Sequence, residues 1–119
     1  MTINIEDHDG IKLLQMAGEL TGDENTTLVD LVTDLLTNRN ARIALDLSQV
    51  QYMNSAGLSD LVRVVAQANI QEARVVLANP SAYIAGVLEM TKLDSFFEVH
   101  PTTADAIKML GEKTPPPAN

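Results

Sequence analysis

The chain has 119 residues, a net charge of −8, 45% hydrophobic residues and no cysteine. That length and apolar content fit one domain with a single core, and the missing thiols exclude disulfides, thiolate catalysis and cysteine metal sites. The negative charge disfavours nucleic acid and anionic membranes, and suits a basic protein partner.

Residues 2–6 alternate Ile3 and Ile5 with polar neighbours, the pattern of a half-buried strand. Asp9-Gly10 signals a tight turn into a second strand over 11–17, so the chain opens on an antiparallel hairpin. Gly18-Glu19-Leu20 leads to an expected helix start at Thr21, where Glu24 three residues on completes a capping box. This helix runs to about Asn38 with Leu28, Leu31, Val32, Leu35 and Leu36 as its core stripe. Residues 42–47 (RIALDL) read as a central buried strand. A short loop follows, then a helix over 56–70 whose inner face carries Leu58, Leu61, Val62 and Val65. Residues 73–78 form a further buried strand, and Asn79-Pro80 caps and opens a third helix with Ile84, Val87 and Leu88 inward. A last short strand is expected over 96–99. Thr102 or Thr103 then caps a helix ending at Leu110, and the proline-rich residues 112–119 read as a disordered tail.

The order ββαβαβαβα predicts an α/β single domain, residues 1–111: a mixed, mostly parallel sheet with an N-terminal hairpin, flanked by about four helices. No basic-then-apolar leader and no apolar run near 20 residues is present, so a cytoplasmic chain is expected.

Ser55 stands just before the second helix. Its hydroxyl is placed to cap that helix, and the same position suits a phosphate, because helix N-termini attract anions. Gly57 leaves the approach to this serine open. On the polar side of the helix, Ser59, Asp60, Arg63 and Gln67 form a candidate partner-binding face. Val64 and Ala68 line one edge, where Val64 reads either as packing on a neighbouring helix or as a hydrophobic border of the interface.

Other chemistries fit poorly. A receiver domain needs acidic residues at a strand-to-helix crossover, whereas Asp7 and Asp9 fall in a hairpin turn and Lys92 follows a helix. No G-x-S-x-G elbow surrounds Ser55, and no glycine-rich loop precedes a helix. His8 and His100 read as separate turn residues, which leaves a metal site unsupported. The chain is read as a non-enzyme without a cofactor.

The run DLSQVQYMNSAGL, with Asp46, Leu47, Ser48, Val50, Tyr52, Met53, Ser55, Gly57 and Leu58, resembles the signature of the STAS domain of bacterial anti-sigma factor antagonists. The resemblance covers about residues 2–111 and implies the same α/β arrangement. It implies that Ser55 is the phospho-acceptor, with Asn54, Ala56, Gly57, Thr21 and Asp46 as its neighbours. Asn54 and Thr21 stand where the family usually has aspartate, and Ala56 where it has Ser or Thr. By resemblance, the domain binds an anti-sigma factor that is also a serine kinase, releases a sigma factor, and is switched off by phosphorylation and reset by a serine phosphatase. The alternative is an adaptor or transporter accessory subunit that binds an ATPase without being phosphorylated.

Overall fold

The computed structural model describes residues 1–22, 27–37 and 40–111. Two strands open the chain, β1 (Thr2–His8) and β2 (Ile11–Leu20), followed by α1 (Thr27–Leu35), β3 (Arg42–Met53), α2 (Ser55–Ile70), β4 (Arg74–Ala78), α3 (Ala82–Met90), β5 (Val99–His100) and α4 (Thr103–Gly111). The strands lie side by side in chain order, β1-β2-β3-β4-β5. β1 runs antiparallel to β2, and the other pairs are parallel. The hairpin turns where the sequence places it. Asp9 and Gly10 both take positive φ, 56° and 91°, which a two-residue turn between twisted strands demands.

The crossovers all step in the same direction, so right-handed connections put α1, α2 and α3 on one face of the sheet. The main core forms there, with Leu14, Met16, Ile43, Leu45 and Leu47 of the sheet against Leu28, Val32, Leu61, Val65, Ile84 and Leu88 of the helices. Among the described residues the opposite face is covered by α4 alone. Small residues, Ala44 and Ala78, let it approach, and Ile11, Leu13, Val76, Ala106 and Leu110 complete this second core. Strand alternation explains the division, because Ile43, Leu45 and Leu47 point one way and Ala44 the other.

Several boundaries differ from expectation. β2 continues through Gly18, Glu19 and Leu20, so the first helix does not start at Thr21. Gly22 has φ +75°, which breaks any helix there, and α1 begins at Thr27. Glu24, the other half of the expected capping box, lies outside the described residues, as do Asn38, Arg39 and the tail 112–119. α3 is capped by Ser81, whose hydroxyl accepts the Ile84 N–H at 3.3 Å, and not by Asn79, which takes φ +50°. The last strand is Val99–His100. Phe96 and Phe97 belong to the preceding turn, where they make an edge-to-face pair at 5.0 Å. Thr102 caps α4 as expected, accepting the Asp105 N–H at 3.0 Å.

The largest difference is β3, which extends past residue 47 to Met53. Its partner β4 ends at Ala78, opposite Asp46, so among the described residues no strand flanks the second half of β3 on that side. The segment entering α3 satisfies backbone groups exposed by this overhang. Ser81 Oγ donates to Val50 O at 3.0 Å, and the Tyr83 hydroxyl donates to Met53 O at 3.1 Å while accepting from Met53 N at 3.4 Å. Backbone polar groups in such a place require partners. The overhang carries the serine loop beyond the edge of β4.

Candidate functional site

β3 ends at Met53, Asn54 leaves the strand in extended conformation (φ −99°, ψ −176°), and α2 begins at once with Ser55. Asn54 is the helix cap: its Oδ1 accepts the Gly57 N–H at 2.9 Å. This corrects the assignment of Ser55 as the cap. Ser55 is the first residue of the helix, exposed, and its hydroxyl makes no hydrogen bond with any described residue. The cap also fixes the loop to the sheet, because Asn54 N donates to Leu20 O at 3.3 Å at the end of β2.

Gly57 has a different role from the one expected. It is buried, and a Cβ there would lie 1.9 Å from Leu20 O and 2.6 Å from Leu20 C. The glycine therefore lets α2 pack on the backbone of β2 and does not widen an approach from solvent. Ala56 is exposed beside Ser55, and a Cβ on Gly22 would come 2.8 Å from the Ala56 Cβ, so the Thr21-Gly22 segment lies against the first turn of α2. The structure thus brings Thr21, Asn54, Ala56 and Gly57 together around Ser55.

Asp46 does not join them. It sits within β3, opposite Gln15 and Ala78, where its Oδ1 accepts the Ser48 N–H at 3.0 Å. The strand between them separates it from the serine loop by roughly 20 Å.

Along α2, Ser55, Ser59 and Arg63 are exposed and follow the i, i+4 spacing of one face. Asp60 leaves the expected polar set, since it is only 6% exposed. It belongs to the buried stripe Gly57, Asp60, Leu61, Val64, Val65 and Ala68. Gln67 is half-buried and borders a shallow depression with Thr33, Leu36, Thr37 and Gln71, which turns it towards α1. Val64 and Ala68 are fully packed, so Val64 belongs to the core and not to an interface border.

Tyr83 was not singled out in the sequence, and no motif marks it. Its hydroxyl holds both polar groups of Met53, the residue before the cap, so α3 also positions the serine loop. At the other end of the sheet edge, Glu98 receives Arg74 Nε at 3.0 Å and meets His100 Nε2 at 2.8 Å. Burial alone would raise the Glu98 pKa, but the hydrogen bonds from Arg74 and His100 outweigh it and hold the carboxyl below its ordinary value. His100 is thus a strand residue hydrogen-bonded to Glu98 and not a turn residue. Among the described residues no helix is long and apolar enough to cross a membrane.

The architecture and the sequence both match known proteins. The chain is 22% identical over 107 residues to the anti-sigma-F factor antagonist RsfB of Mycobacterium tuberculosis, spanning 90% of this chain and 87% of that one. A Thermotoga maritima protein with the provisional description of anti-sigma factor antagonist superposes with a TM-score of 0.82 at 24% identity, covering 92% of this chain and 95% of its own. The Bacillus cell fate determinant SpoIIAA, solved in its phosphorylated form, superposes with a TM-score of 0.69 at 17% identity, over 92% of this chain and 99% of its own. The family model described as the STAS domain matches residues 2–106, and with the five-stranded mixed sheet and the serine loop at the end of β3, the chain belongs to the STAS domain family.

Proposed function

We propose that the chain is an anti-sigma factor antagonist that acts in the cytoplasm as a substrate and switch, not as an enzyme. Unmodified, it binds an anti-sigma factor that is also an ATP-dependent serine kinase and so releases a sigma factor. Phosphorylation of Ser55 ends the binding, and a serine phosphatase restores it. The observation that carries this reading is the state of Ser55: exposed on the first turn of α2, with its hydroxyl bonded to no described residue while Asn54 caps the helix. A capping serine would have to give up that bond to react, whereas this one does not.

The electrostatics fit a switch. A phosphate brings about −1.5 to −2 charges at pH 7. At the first turn of α2 it meets the positive end of the helix dipole, and the neutral amide of Asn54 adds no repulsion. The free domain therefore tolerates the modification. In a complex, the same phosphate is desolvated against the partner, and binding is lost. Ser59 and Arg63 continue the exposed face of α2 away from Ser55 and extend the proposed contact surface. The name of RsfB and the phosphorylated form of SpoIIAA support this reading.

Calorimetric titration against the cognate anti-sigma factor, identified by co-purification, tests it. Ser55→Asp and Arg63→Glu should weaken binding by about tenfold or more, while Ser55→Ala should bind like the wild type. Equal affinities for all three would place the interface elsewhere and favour a phosphorylation-independent adaptor.

A further inference from the structure

The sequence contains only two tyrosines, and the fold brings both to the serine loop. Tyr52 comes from the end of β3 and Tyr83 from the start of α3. Their ring centroids are 6.2 Å apart with planes tilted by 30°. Large aromatic rings are normally covered, yet these remain 43% and 41% exposed. The Tyr83 ring is held in place by the paired hydrogen bonds of its hydroxyl to Met53. Directly across the β2–β3 ladder from Tyr52 stands Glu19, so the two side chains share a face of the sheet. Glu19 is exposed and makes no hydrogen bond or ion pair with a described residue. A carboxylate that pairs with no described residue therefore lies across from the exposed Tyr52 ring, which in turn meets the hydroxyl-anchored Tyr83 ring. Tyr52 is three residues from Ser55, so their Cα atoms are within about 11 Å.

We propose that Glu19, Tyr52 and Tyr83 form a ledge that receives an arginine side chain of the anti-sigma factor as that protein engages Ser55. The choice of partner rests on the function proposed above. The ledge chemistry does not. A guanidinium is planar, stacks on aromatic faces and pairs with a carboxylate through its forked donors, which a lysine ammonium matches less well. The net charge of −8 favours the approach of a basic surface. The Tyr83 ring is already held by its hydroxyl, so it loses little rotamer freedom on docking, and tyrosine is a residue type enriched in binding hot spots.

The test has two arms. In the first, the tyrosine ring signals of the isolated protein are followed by NMR during titration with N-acetyl-arginine N-methylamide, and with its uncharged citrulline analogue as control. Shifts of both rings with the arginine compound alone, lost in Glu19→Gln, support the ledge. No shift, or equal shifts with citrulline, overturns it. In the second arm, Tyr52→Leu and Glu19→Gln are titrated against the anti-sigma factor, after thermal melts confirm that both fold. Each should weaken binding by about tenfold, and Glu19→Gln should also flatten the salt dependence. Wild-type affinity in both variants overturns the proposed arginine contact. Arginine-specific ring shifts in a protein that binds no anti-sigma factor would uphold the ledge and refute the function proposed for the chain.

Discussion

Replacing Asn54 and Ser55 separately by alanine should have opposite consequences for stability and for modification. Asn54 Oδ1 accepts the Gly57 N–H at 2.9 Å, and Gly57 is buried, so truncating Asn54 leaves a helix N–H with poor access to water. Loss of a cap costs about 0.5–2 kcal/mol, and a buried unsatisfied donor puts the value in the upper half of that range. Asn54→Ala should therefore lose about 1.5 kcal/mol, which for a domain of this size lowers Tm by roughly 6 °C. Ser55 is exposed and its hydroxyl bonds to no described residue, so Ser55→Ala should stay within about 0.5 kcal/mol of the wild type. Asn54→Asp keeps the acceptor and adds a negative charge at the helix N-terminus, for a gain of about 0.3–1 kcal/mol. The same charge should slow phosphorylation of the adjacent serine by repulsion. Urea unfolding of the three variants followed by circular dichroism reads the stabilities. If Ser55→Ala lost as much as Asn54→Ala, Ser55 would be the cap and the argument for a free acceptor hydroxyl would fail.

Two further perturbations probe how the site is held. Gly57→Ala places a methyl 1.9 Å from Leu20 O, so α2 must withdraw from the end of β2 and strain the Asn54 N–H bond to Leu20 O. A loss of about 3 kcal/mol in guanidinium unfolding is expected, and a loss under about 0.5 kcal/mol would mean that the helix is not seated on the strand. Glu98 has a folded pKa below its ordinary value of about 4.5, so its contribution to stability is present above that value and disappears as pH falls through the lower folded one. Unfolding free energies of the wild type and Glu98→Gln between pH 3 and 7 should converge on the acid side, and parallel profiles would contradict the assignment.

Much of the fold was legible because its signals are local. Asp9-Gly10 marks a turn through its own backbone preference, and the short apolar run from Ile43 to Leu47 marks a strand buried on both faces. The serine position was legible through the DLSQVQYMNSAGL motif. The misassigned features depend on contacts distant in sequence. The second half of β3 reads as a loop because Ser48, Gln49 and Gln51 are polar. It is a strand because β2 pairs with it and because Ser81 and Tyr83 bond its free edge. Asn54 and Ser55 are both good caps, and the choice is made where Asn54 N meets Leu20 O and Gly57 packs on the same carbonyl. Asp60 was legible in principle. The spacing Gly57, Asp60, Leu61, Val64 and Ala68 is one helical face, and its acidic side chain concealed its place on that face. The pairing of Tyr52 with Tyr83 has no signal in sequence spacing, since it joins residues from separate elements.

The most direct test of the central claim is mass spectrometry of the domain after incubation with its cognate anti-sigma factor and ATP. A single phosphate on Ser55, absent in Ser55→Ala and accompanied by dissociation of the complex, is the predicted result. Phosphate on Ser48 or Ser59 instead, or none at all from a kinase that binds tightly, would contradict it.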